Sequence, residues 1–297
     1  MNRPAASAPR GPIDRFIRRF QRTTHLLAML ALYVLVAIVI GLALAPALAL
    51  FAHGWAEAMT RSTPWSWLLG GIAAGLSLFV FGFALLVVVP LFNALLPTRV
   101  REFHGSYFTI AAVPWYLHNG LFYLVRYTFL PYVTLTPFGE WFLRAMGMRI
   151  GRRAFINTEF ISDPRLIEIG DDVVIGGSVH LFAHYGGGGH LSIVPVRIGD
   201  RATIGQKATV MGDVVIGDGA TILPHSVLLP GSRVGPGEIW GGVPALRIAP
   251  AGVGREADVA QQFGHAFAAA TLGQSVDQQR FADDRGNRHA RVQRAVG

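Results

Sequence analysis

Cysteine is absent from the 297-residue chain. Its absence excludes disulfides, thiolate metal ligands and a cysteine nucleophile. Lysine is nearly absent as well: Lys207 is the only one, so arginine carries the positive charge. Charged residues make up 15% of the sequence and hydrophobic residues 52%, whereas soluble domains carry about 25% charged residues. Part of the chain is therefore expected to avoid water. The net charge is +8, with Arg3, Arg10, Arg15, Arg18, Arg19 and Arg22 crowded at the N-terminus. No nucleic-acid module follows them, so no nucleic-acid partner is expected. The cluster reads as the cytoplasmic flank of a membrane helix.

Two uncharged runs follow, Leu26 to Phe51 and Leu68 to Val89. A helix needs about 20 apolar residues to cross a bilayer, and both runs qualify. The first is too long for the apolar core of a cleaved signal peptide. Trp65 and Trp67 open the second run, where aromatic rings favour the interface. Gly71 and Gly75 form a small-xxx-small pair that either admits a neighbouring helix or merely reflects a Gly/Ala-rich composition. Arg99 and Arg101 follow the second run. The arginine bias places the N-terminus and everything after the hairpin on the cytoplasmic side of an inner membrane. The expected order is a basic tail over 1–24, a two-helix transmembrane hairpin over 25–97, and interfacial aromatic helices over 98–148. In that third segment Pro114, Pro131 and Pro137 cut the aromatic stretch into pieces too short to span, which suits the membrane surface.

Periodicity dominates residues 149–250. An aliphatic or aromatic residue recurs every sixth position: Ile198, Ile204, Val210, Ile216, Ile222, Leu228, Val234 and Trp240. Glycine follows at 199, 205, 217 and 235, and a small or β-branched residue sits four places on, as at Ala202, Ala208, Val214 and Ala220. Six is too short for a helical repeat unit. It fits a coil of three flat sides with a turn at each corner, whose strands pair with the coils above and below. The step from Leu181 to Ile198, 17 residues, breaks the count. There the chain is expected to leave the coil as a loop holding His184, Gly186 to Gly189 and His190. The glycines read as a flexible lid sooner than as a phosphate cradle. His180 precedes the loop, and His225 and Lys207 fall at outward corners. Residues 251–297 lose the repeat and are expected to be partly helical, near Asp258 to Leu272, or disordered.

These hexads, with the closing Trp240-Gly241-Gly242-Val243-Pro244-Ala245, resemble the hexapeptide-repeat acyltransferases. The stretch from Phe142-Leu143-Arg144 to Phe155 is similar to the C-terminal segments of polylysine-synthetase-like enzymes. The resemblance implies a fold of α plus β-solenoid class, a transmembrane hairpin followed by a left-handed parallel β-helix, assembled as a homotrimer. It implies transfer of an acyl group from CoA or an acyl carrier thioester to a hydroxyl or amine of a membrane-proximal acceptor, without a metal. A histidine beside the loop would act as general base; His184 matches best by position, with His190 and His180 as alternatives. The donor would bind near Gly241, Pro244, Ala245 and Arg247, although the family's usual basic position falls at Leu246. Two rivals remain open: a non-catalytic trimeric membrane scaffold, and a zinc site like that of the γ-carbonic anhydrases.

Overall fold

The structure, a computed structural model, describes residues 11–249. The expectations for residues 1–10 and for the C-terminal tail lie outside the described residues.

Three helices open the fold: α1 (Pro12–Arg19), α2 (Gln21–Met59) and α3 (Trp65–Leu95). At 1.5 Å per residue α2 is about 58 Å long and α3 about 46 Å, both longer than a hydrocarbon core of about 30 Å. Both are apolar enough to cross a membrane by length and composition. Their outward faces carry apolar side chains along the whole length, including Leu30, Val34, Ile38, Leu76, Phe79 and Val87. Water solvates such a continuous apolar surface poorly. The two helices touch through small residues: a Cβ on Gly54 would come within 2.6 Å of the Ala73 Cβ, and one on Gly70 within 2.6 Å of the Trp55 ring. Gly71 and Gly75, the pair singled out by sequence, face open space.

The aromatic segment folds as α4 (Val113–Arg126), α5 (Leu130–Val133) and α6 (Pro137–Ala145). The three prolines that divide it sit in the first turns of these helices, where a missing N–H costs nothing. One part of the segment is not helical: Phe103–Ser106 is a strand. Phe122 and Phe142 are fully buried and stacked at 5.7 Å. They belong to one apolar cluster that runs from Val39 through these helices to Val234.

That cluster continues as the core of a parallel β-solenoid with three sheets. The first sheet stacks Ile150, Ile169, Ile198, Ile216 and Val234 in register. The second stacks Ile156, Ile175, Ile204, Ile222 and Trp240. Leu181, Val210 and Leu228 align on the third. Successive hexads thus visit the three sheets in turn, and the alanines between them are fully buried. The corner glycines act through lack of room: a Cβ on Gly199 would meet the backbone N of Asp218, one coil on, at 2.8 Å. The left-handed backbone falls two residues further along each corner, at Arg201, Gly219 and Gly237. Lys207 and His225 hold the equivalent place at the next corner, left-handed and exposed.

The segment after Leu181 is a β-hairpin and not an open lid. Strand His184–Gly187 pairs antiparallel with His190–Ile193, which pairs in turn with Phe103–Ser106. Gly188 and Gly189, with φ of 58° and 82°, make its two-residue turn. Positive φ at both central residues matches the strand twist and favours glycine. Gly186 is needed because its missing Cβ leaves space for the Tyr107 hydroxyl.

Candidate active site

The third sheet's exit corner supplies the site. The strand Ile161–Ser162 aligns with Leu181–Phe182 one coil later. Asp163 follows the first and His184 leaves just after the second, so coil stacking brings together residues 21 apart in sequence. Asp163 turns the corner in left-handed geometry at φ 58° and is fully buried. Aspartate tolerates this conformation better than most residues.

His184 Nδ1 lies 2.5 Å from Asp163 Oδ2. The other carboxylate oxygen, Oδ1, accepts from the Trp115 indole N–H and from the Asn119 amide, both at 2.7 Å. Asn119 also accepts the Asp163 backbone N–H at 3.2 Å. Trp115 and Asn119 stand four residues apart and so share one face of α4. A buried carboxylate is costly unless fully hydrogen-bonded. Here the helix satisfies one oxygen and the histidine the other. The His184 ring packs edge-on against Trp115 at 5.2 Å and keeps 23% of its side chain exposed. With Nδ1–H donated to Asp163, the tautomer leaves the Nε2 lone pair free to take a proton.

The remaining sequence candidates fall elsewhere. His190 bonds only the Gly188 carbonyl, at 3.3 Å, near the hairpin tip. His180 stacks on Phe160 at 4.8 Å, and burial, then the nearby Arg126 charge, lowers its pKa. Gly241 ends the strand Ile239–Gly241 of the second sheet, Pro244 follows a cis bond, and Ala245 is buried. Arg247 pairs with Glu238 at 3.2 Å, so within one chain its partner is that carboxylate and not the histidine. Among the described residues no group of three His, Cys, Asp or Glu side chains is placed to hold a metal ion.

Beneath the dyad, α4 carries two buried basic groups. His118 Nδ1–H donates to Asn93 Oδ1, 2.8 Å away, and burial lowers its pKa to about 4. Arg126 bonds Ser162 Oγ at 3.2 Å and lies over the rings of Tyr123, Tyr127 and Phe160 at 5.1–5.4 Å.

Sequence reasoning singled out His184 as a candidate but not Asp163, Trp115 or Asn119, which the structure sets around it. The sole signal was Asp163 before Pro164, which reads as an ordinary turn.

The solenoid defines the class of protein, a stacked hexapeptide-repeat coil. Residues 195–237 match the family described as "Bacterial transferase hexapeptide (six repeats)", and the chain carries that repeat. The delta-poly-L-ornithine synthetase of Acinetobacter baumannii (strain AB307-0294) is 23% identical over 185 residues, covering 60% of this chain. An uncharacterized protein of Dictyostelium discoideum is 33% identical over 118 residues, 33% of this chain. The chain spans 13% and 47% of the lengths of these two relatives. Among solved structures, a hexapeptide-repeat acetyltransferase of Vibrio cholerae O1 biovar eltor, complexed with acetyl coenzyme A, is 28% identical. That match covers 35% of this chain and 60% of the other, with a TM-score of 0.32.

Proposed function

We propose that the chain is a membrane-bound acyltransferase in which the Asp163–His184 pair is the general base. One observation carries this reading: a buried, doubly held carboxylate orients an imidazole whose second nitrogen is free. Removing a proton from a hydroxyl or amine needs a group that titrates near neutrality, which histidine is. The transferase hexapeptide repeat at 195–237 supports a thioester donor, CoA or an acyl carrier.

In the reaction, His184 Nε2 takes the proton from the acceptor O–H or N–H. The freed electron pair attacks the thioester carbonyl carbon, and the C–S bond breaks as the tetrahedral adduct collapses. The departing sulfur receives the proton from the imidazolium, which restores the base. Asp163 stabilises that imidazolium and fixes its tautomer.

Helices α2 and α3 cross the inner membrane as a hairpin, with the solenoid on the cytoplasmic side. Arg99 and Arg101 directly after α3 support that orientation. The coil is left-handed and the assembly trimeric, as the family resemblance implies, with the donor near Gly241, Pro244, Ala245 and Arg247.

Calorimetric titration of the detergent-purified full chain with acetyl-CoA and longer acyl-CoAs tests the donor. Saturable binding that is lost when the pantetheine arm is removed is expected. Absence of binding by every thioester would exclude CoA as the donor.

A further inference from the structure

A cavity opens beside Trp115, which bonds Asp163. It begins at Leu96, directly after the last residue of α3, and encloses about 570 Å³. That volume falls in the usual range of small-molecule sites, about 300–1,000 Å³. Trp115 and Ile193 form its inner wall. Trp115 is the residue that bonds Asp163 and packs on the His184 ring. Ile193 is the register partner of His184 across the hairpin. The cavity and the Asp163–His184 pair thus share Trp115 and Ile193 as neighbours.

Arg99 and Arg101 also line the cavity. On the solenoid, Arg149, Arg152, Arg153 and Arg233 each hold a carboxylate. Among the described residues neither Arg99 nor Arg101 has a carboxylate within ion-pair distance, although Glu102 also lines the cavity. Two guanidinium groups face one carboxylate, a surplus of positive charge. Guanidinium groups favour phosphate because their planar donors match its oxygens in pairs. The rest of the wall is largely apolar: Leu96, Pro97, Val100 and Phe103.

We propose that this cavity seats the acceptor, and that the acceptor is a lipid with a phosphate-bearing headgroup. The proposal rests on the acyltransferase reading. It follows from two guanidinium groups in the lining, from Trp115, which the cavity shares with the Asp163–His184 pair, and from a lining that begins directly after α3.

Titration of the detergent-purified full chain with hexanoyl lysophosphatidic acid, which keeps both a phosphate and a free hydroxyl, tests this, with inorganic phosphate and monohexanoylglycerol as comparison probes. The lysophosphatidic acid is expected to bind saturably and at least about 10-fold more tightly than either comparison probe, and equal binding of monohexanoylglycerol would overturn the phosphate assignment. In the double variant Arg99→Gln, Arg101→Gln, affinity is expected to fall by about 10-fold or more with the melting temperature unchanged, since both residues are exposed. Equal binding of inorganic phosphate would overturn the lipid assignment, and unchanged affinity in the double variant would overturn the site. Lipid binding is read here without a thioester donor, so its failure and the failure of the acyltransferase reading are distinguishable.

Discussion

A single aspartate organises the candidate site, and its neighbours explain why the site tolerates a buried charge. Asp163 accepts from Trp115, Asn119 and His184, so each of its carboxylate oxygens has at least one donor. His118, on the same helix, behaves differently. Burial holds its pKa near 4 against about 6.5 in an unfolded chain. The unfolded chain therefore binds the proton first, and the stability associated with a neutral His118 is full above about pH 6.5. It is lost as pH falls through that window toward about 4, by roughly 3 kcal/mol if the whole shift is realised. His118→Gln keeps a polar partner for Asn93 but cannot titrate. Unfolding of the detergent-solubilised protein at pH 7 and pH 4.5 should show a smaller acid loss in the variant than in the parent. Asp171 and Asp172 are held below the usual carboxylate range by Arg152 and Arg153, so their loss follows at lower pH.

At the scale of elements, the hairpin 184–193 ties the solenoid to the strand Phe103–Ser106, which lies between α3 and α4. Its geometry depends on Gly186, whose place leaves no room for a side chain beside Tyr107. Gly186→Val should displace the Tyr107 ring and loosen the hairpin. Hydrogen exchange at Leu191 and Ile193, both buried, should then accelerate by at least about 10-fold while the hexads around Val210 stay protected. Unchanged exchange at Leu191 would contradict this role. Much of the element plan was legible before the structure. The hexads declare themselves because each aliphatic residue marks its own strand, and the two apolar runs are local signals of the same kind. Asp163 was illegible because its meaning arises from coil stacking, which pairs it with His184 across 21 residues of chain. Trp115 and Asn119 were hidden for a similar reason: i, i+4 spacing shows that they share a face, but not what that face meets. The hairpin was misread as a lid although Gly188-Gly189 is a known two-residue turn signal. Four consecutive glycines read as flexibility when the strands beside them are only four residues each.

For the whole molecule, the coil length is the governing quantity. Ile198 pairs with Ile216, and Ile204 with Ile222, so one turn is 18 residues. Removal of residues 203–220 should keep every remaining aliphatic residue in the core and give a cooperative but lower melting transition. Removal of 203–219, one residue fewer, should shift the register and turn the following core side chains outward. Loss of a cooperative transition is expected in that second variant alone. The same stacking that sets this length also aligns the third-sheet corner, so the hydrogen-bonded Asp163–His184 pair is a consequence of the solenoid and α4 acting together.

That pairing is tested most directly by a double-mutant cycle on acyl transfer. Membranes containing the full chain, given radiolabelled acetyl-CoA, would be assayed for label retained in the membrane fraction. His184→Ala and Asp163→Asn should each slow transfer by about 100- to 10,000-fold. The double variant should be no slower than the worse single one, because the two residues act as a unit. Transfer at the parental rate in either single variant, or losses that multiply in the double variant, would contradict the account and favour a solenoid that serves as a membrane scaffold.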